Sequence, residues 1–184
     1  MNVLLVHAST HGHTSKIAHR IVEVMRDAGL VVAERRIDAA PSDLSHYDAI
    51  VVGGSLHNGS HQSELADWVR DHRHVIAVRP SAFFSVSLSA AEDSERTRAA
   101  VRECIDRFVE DTGWDPDVSA PLAGALQYTR YDLPTRLFMQ ALMFKGGHPT
   151  DTSRDHEMTD WDRVDEFARR AAHHFARAGV AIAA

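Results

Sequence analysis

Ser9, Thr10 and Thr14 place three hydroxyls around Gly12, directly after the apolar run Val3 to Val6 and directly before a helical pattern. Hydroxyls, a glycine and the free N–H groups of a helix start can hold an anion by dipoles and hydrogen bonds. The loop also carries His11 and His13 but no lysine or arginine, so opposite charge is not what it offers. The same residues would serve equally as a plain helix cap. No Gly-Lys-Ser/Thr follows, which excludes a Walker loop, and a single glycine excludes the dinucleotide fingerprint. The phosphate of a mononucleotide remains.

Two further stretches share this character. In GGSLHNGSH, Gly53, Gly54 and Gly59 let the backbone turn tightly against a flat ligand, while Ser55, His57 and Asn58 supply polar contacts. SVSLSAAED, beginning at Ser85, is again small and hydroxyl-rich. Either alone reads equally well as an ordinary connection. His57 and His61 are candidates for proton removal, because an unperturbed imidazole titrates near neutrality; solvent-facing polarity is the alternative. His7, His11 and His13, and the neighbours His173 and His174, lack the cysteines or the recognisable pairing of a structural zinc site, so no metal is expected.

The elements that must position these loops follow from periodicity. Val3 to Val6, Ala49 to Gly53, Ala82 to Val86 and Leu122 to Leu126 are continuous apolar runs, as in parallel strands covered on both faces. Val31 to Ile37 becomes charged after its start and suits a sheet edge. Between the runs, sets such as Ile17, Ile21, Met25 and Ala28, or Val101, Ile105, Phe108 and Val109, recur at helical spacing. Strict alternation of strand and helix predicts a doubly wound α/β domain, with ligands bound outside the carboxyl ends of the strands. The three small-residue loops follow the first, third and fourth predicted strands of that order.

One interval breaks the rhythm. Residues 127–159 separate the fifth strand from the last helix, far more than an ordinary connection. Within it, Leu133, Leu137, Phe138, Ala141, Leu142 and Phe144 make a strongly apolar helix with a narrow polar strip through Arg136 and Gln140. Tyr128, Arg130, Tyr131 and Arg136 could meet a flat macrocycle bearing carboxylates, since guanidinium binds carboxylate bidentately, or could fix the loop to the sheet. Asp151 and Trp161 read first as turn and capping elements.

Composition narrows the classes. The 184 residues suit one domain, and a formal charge of -6 gives no broad attraction to nucleic acid. Cys104 is the only cysteine, so no intrachain disulfide forms and a reducing cytoplasm fits. Neither a signal peptide nor a membrane-spanning segment is expected.

The phosphate loop resembles that of the flavodoxin-like family, Ser/Thr-x-Thr-Gly-x-Thr, and here reads Ser9-Thr10-His11-Gly12-His13-Thr14, with histidines at two positions. PSAFFSVSLSA, LAGALQYTRYDLPTRLFMQALMFKGGHPTDT and MTDWDRVDEFAR look like the long-chain flavodoxin-like family of menaquinone-dependent protoporphyrinogen oxidases, and the similarity runs over nearly the whole chain. The resemblance implies a five-stranded sheet of order 2-1-3-4-5 with a long insertion after or within strand five. It implies FMN, its phosphate held by residues 9–14. Gly54, Ser55, Leu56, His57, Asn58 and Gly59 would flank the ribityl chain and isoalloxazine ring on one side. Ser85, Val86, Ser87, Leu88 and Ser89 would flank them on the other. The implied reaction is oxidation of protoporphyrinogen IX to protoporphyrin IX in haem synthesis, with a quinone as acceptor. Peripheral contact with the inner face of the cell membrane through residues 133–144, and a homo-oligomer, are further expectations. The second loop carries His57-Asn58 where the family often places a basic residue and a stacking aromatic. An FMN electron carrier, an NAD(P)H-linked quinone reductase and a flavin-free binding module are the competing readings.

Overall fold

A strand apolar at every position must be covered on both faces, and the runs at Val3 and Ile50 are so covered. The computed structural model describes residues 1–56, 59–92, 94–145 and 150–182. In it β1 (Asn2–His7), β2 (Val31–Arg36), β3 (Ala49–Ser55), β4 (Ser81–Ser87) and β5 (Val118–Ala123) form one parallel sheet in the order β2-β1-β3-β4-β5. Side chains alternate across it. Val3, Leu5, Val51 and Phe84 project to one face, where α1 (His13–Asp27) and α5 (Trp161–Ile182) cover them with Ile17, Ile21, Phe167 and Phe175. Leu4, Val6, Ile50 and Phe83 project to the other, beneath Leu65 and Val69 of α2 (Ser63–Ile76) and Ile105 and Phe108 of α3 (Glu95–Thr112). The helices on the first face are further tied by Arg20, whose Nε and Nη2 each donate at 2.8 Å to Asp165.

Strand order reverses between β1 and β3, which opens the crevice at their carboxyl ends. Gly53 lies at this end of β3, for a reason other than ligand approach. A Cβ there would stand 1.9 Å from the Phe84 ring, so the glycine makes room for a core aromatic. A Cβ on Gly54 would likewise meet Leu65 Cδ2 at 2.7 Å.

The fifth strand is displaced from its expected place at Leu122 to Leu126. It runs Val118–Ala123, alternately buried and exposed up to Pro121. Pro121 reads as a breaker in sequence, yet β5 is the sheet edge, where a missing N–H costs no ladder bond. After Gly124 the chain leaves the sheet. β6 (Ala125–Leu126) pairs antiparallel with β7 (His156–Glu157), and the chain between them carries a short turn at Tyr128–Arg130 and α4 (Leu133–Lys145). Asp132 starts α4 by accepting the Thr135 N–H at 3.0 Å. Asp160 caps α5 through the N–H groups of Asp162 and Arg163, one residue before the Trp161 anticipated from sequence. Asp151 is the expected turn residue, accepting from the Ser153 N–H and hydroxyl.

The orientation of α4 is the departure. Its polar strip turns inward: Arg136 donates to the Tyr131 carbonyl and Gln140 to that of Thr150. Met143 is buried with Leu126 and Tyr128 in a small separate core. Leu133, Leu137 and Phe144 are 70%, 59% and 77% exposed; the side chains of Phe138 and Leu142 lie outside those described, as do Gly146 and Gly147. Among the described residues no helix is long and apolar enough to cross a membrane.

Candidate functional site

The first turn of α1 bears on whether this is a plainly capped helix or an anion site. Gly12 occupies the position before the helix with φ +93°, a left-handed backbone suited to glycine, and among the described residues no side chain caps the helix. The Ser9 hydroxyl instead accepts the Gly12 N–H at 3.0 Å, shaping the loop. Thr14 is buried in the first turn. A helix start without a side-chain cap and ringed by hydroxyls suits an anion.

The second and third loops are tied together beside it. The Leu56 N–H donates to the Val86 carbonyl at 2.8 Å, and the Ser87 hydroxyl accepts the Ala90 N–H at 3.2 Å. Gln62 is a connector that the sequence reading missed. Its Nε2 donates to Ser55 Oγ at 2.6 Å and reaches Thr10 Oγ1 at 3.5 Å, while its Oε1 accepts the Ser55 N–H at 3.2 Å. One side chain thus joins the first loop to the second. A glutamine beside a predicted helix start gave no sequence signal for this.

These loops and the insertion enclose a cleft of about 850 Å³. Ser9, Thr10, His11, His13 and Thr14 line one end; Ser55, Leu56 and Gly59 follow, then Val86, Ser87, Leu88 and Ser89. Gly12, Gly54 and Ser85 are not among the lining residues. Tyr131, Pro134, Thr135, Met139 and Met143 close the cleft from the insertion, and Val101 and Cys104 from α3. The methionines were not anticipated, because the sequence marked this helix only by its leucines, phenylalanines and narrow polar strip. His57 and Asn58 lie outside the described residues.

The other candidates are placed away from the cleft wall. His61 packs edge-on against Phe83 and Phe108, with Nε2 2.9 Å from Ser85 Oγ, and burial pushes its pKa down to about 4. Such an imidazole is neutral at pH 7 and holds the second loop to β4 rather than facing a ligand. Tyr128 is fully buried beneath the insertion. Arg136 supports Tyr131 from behind through the 3.2 Å bond to its carbonyl. Arg130 reaches the phosphate loop, where Nη1 donates to the His11 carbonyl at 2.8 Å.

His13 is anchored at the far end. Thr159 Oγ1 donates to the Ala123 carbonyl at 2.9 Å and therefore accepts from His13 Nε2, 2.6 Å away. Burial lowers the His13 pKa, with Glu157 opposing the shift. The first loop is thereby joined to the end of β5 through a threonine 146 positions distant.

The flavodoxin domain family matches residues 4–153. The chain is 32% identical over 176 residues to a protoporphyrinogen IX dehydrogenase [quinone] of Escherichia coli strain K12, covering 94% of this chain and 96% of that protein. It is 30% identical over 168 residues to a protein of the same name from Leishmania major, covering 90% of this chain and 72% of the relative. In fold it is similar to an oxidised flavodoxin 1 from Bacillus cereus, with a TM-score of 0.56 and 14% identity over 96% of this chain and 98% of that one.

Proposed function

We propose that this chain, which belongs to the flavodoxin family, is an FMN-dependent protoporphyrinogen IX dehydrogenase that passes electrons to a quinone. The observation that carries the reading is the 32% identity to the Escherichia coli enzyme across 94% of this chain, insertion included. Flavodoxin membership implies a flavin, and the residues present fit FMN: a left-handed Gly12, a helix start that no side chain caps and three hydroxyls suit a phosphate. A cleft of about 850 Å³ is within the usual range for small-molecule sites, roughly 300–1,000 Å³.

FMN, when bound, supplies two-electron chemistry that the side chains lack. The chain's own work is placement. Ser9, Thr10 and Thr14 would bind the phosphate, and the loops at Ser55 and Val86 would flank the ring. Converting protoporphyrinogen to protoporphyrin removes six electrons and six protons, so that with a two-electron flavin bound three rounds would be needed, each with a quinone as acceptor. Tyr131, Met139 and Met143 give the macrocycle an aromatic and two polarizable thioethers to lie against. Tyr128 and Arg136 hold Tyr131 in place from behind. Half-buried His61 is a weak base, its pKa pushed down to about 4, and its Nε2 is engaged with Ser85, which favours His57 as the histidine candidate of this loop. Outward Leu133, Leu137 and Phe144 suit peripheral contact with a membrane, where a lipid-soluble quinone is met.

The test is anaerobic addition of protoporphyrinogen to FMN-loaded protein, following flavin bleaching and porphyrin fluorescence with and without a menaquinone analogue. Bleaching with stoichiometric porphyrin, turning catalytic when quinone is added, is the expected result. An oxidised flavin beside unchanged substrate overturns the assignment and favours the electron carrier.

A further inference from the structure

The phosphate loop has no cation of its own, and a phosphate held only by N–H and hydroxyl groups keeps its full charge. Two cations stand nearby. Lys16, on α1, is engaged: Nζ lies 2.6 Å from Glu157 and over the Trp161 ring. Arg130 is differently placed. No carboxylate pairs with it among the described residues, and its Nη1 both donates to the His11 carbonyl at 2.8 Å and lies 3.3 Å from where a Cβ on Gly12 would be. The guanidinium therefore rests against the left-handed glycine of the loop itself.

What presents Arg130 is a turn fixed at its base. Tyr128 is buried with Leu126 and Met143, and Thr129 donates from its N–H and hydroxyl to Asp155 Oδ1 at 2.9 and 2.8 Å. The next residue, Tyr131, meets the His11 ring edge-on at 5.2 Å. Two consecutive side chains of the insertion thus contact one residue of the loop, and α4 begins two positions later with Pro134 and Thr135 in the cleft wall.

We infer that Arg130 supplies the positive charge the phosphate loop lacks, so that a bound phosphate is shared between loop and insertion and fastens the cleft's second wall in place. This rests on the flavin reading and assigns Arg130 to the cofactor rather than to a substrate carboxylate. Occupancy of the phosphate site then precedes and completes the macrocycle side of the cleft.

The experiment compares FMN with riboflavin, which lacks the phosphate, by flavin fluorescence titration of the full chain and of its Arg130→Gln and Arg130→Lys variants. Hydrogen exchange across residues 128–145 is followed in parallel. A charge-assisted contact predicts that Arg130→Gln weakens FMN roughly ten- to hundredfold and leaves riboflavin unchanged, with Arg130→Lys recovering part of the loss. FMN but not riboflavin slows exchange across 128–145 in the unaltered chain, and Arg130→Gln loses that protection even at saturating FMN. Equal weakening of both flavins, or of neither, overturns the inference and makes Arg130 a plain structural tie. Unaltered protein that binds neither flavin removes the flavin reading itself, and the inference with it.

Discussion

The sheet and the insertion solve opposite problems with similar residues. In the sheet, Val, Leu, Ile and Phe turn inward and helices cover them on both faces. In α4, leucine and phenylalanine turn outward while arginine, glutamine and methionine turn in. The hydrophobic effect explains the first arrangement directly. The second is stable because its inward polar groups find backbone carbonyls and its two-residue strand pair closes the base. The sheet hides its apolar side chains, and the insertion leaves several of its own exposed.

The contrast can be broken most directly in the sheet. Phe167→Ala removes a fully buried ring packed on Phe84 and is expected to cost about 3–5 kcal/mol, read as a lower urea midpoint. A smaller loss at this site would mean the core relaxes more freely than its packing suggests. Gly53→Ala forces a methyl to within 1.9 Å of the Phe84 ring, and overpacking of this kind costs about 1–3 kcal/mol. That variant should still bind flavin once folded, because the glycine serves packing.

Between the two regions stands His61. Its folded pKa, about 4, lies below the unfolded value of 6.5. The unfolded chain therefore takes up the proton first, so the stability His61 confers is full above pH 6.5 and is lost as pH falls towards 4. Between pH 7 and pH 5 the loss from this group is about 2 kcal/mol, and His7 and His13, both lowered by burial, add in the same direction. Urea unfolding at the two pH values, repeated on His61→Gln, isolates its share; an unchanged slope in the variant would refute it. Smallest of all, Leu133→Gln and Leu137→Gln are expected to shift stability by no more than about 0.5 kcal/mol, since both side chains are already in solvent. A loss of several kcal/mol there would show that α4 is covered after all.

Legibility in the sequence divides along the same line. β1, β3 and β4 were readable because burial on both faces leaves unbroken apolar runs, and α1 because one stripe faces a core. β5 was displaced because an edge strand tolerates Pro121 and buries only one face. The hydroxyls around Gly12 were legible since their spacing is local. Gln62 and Thr159 were not, and Arg130 was named without its contact to the first loop, as each reaches that loop only through the fold, 119 positions away for Arg130. The outward turn of α4 was hidden for another reason: composition tells which residues are apolar and says nothing of which way an appended helix rolls.

The pairing of Ala125 with Glu157, with the Met158 N–H donating to the Gly124 carbonyl at 3.1 Å, brings the two ends of the insertion side by side. A segment whose entry and exit adjoin is a cassette: it can be lengthened, shortened or exchanged for a tight turn without moving β5 or α5. Doubling its length would add only about 0.6 kcal/mol of closure entropy. Evolution and engineering can thus rewrite what the cleft accepts by cut and paste at a single seam.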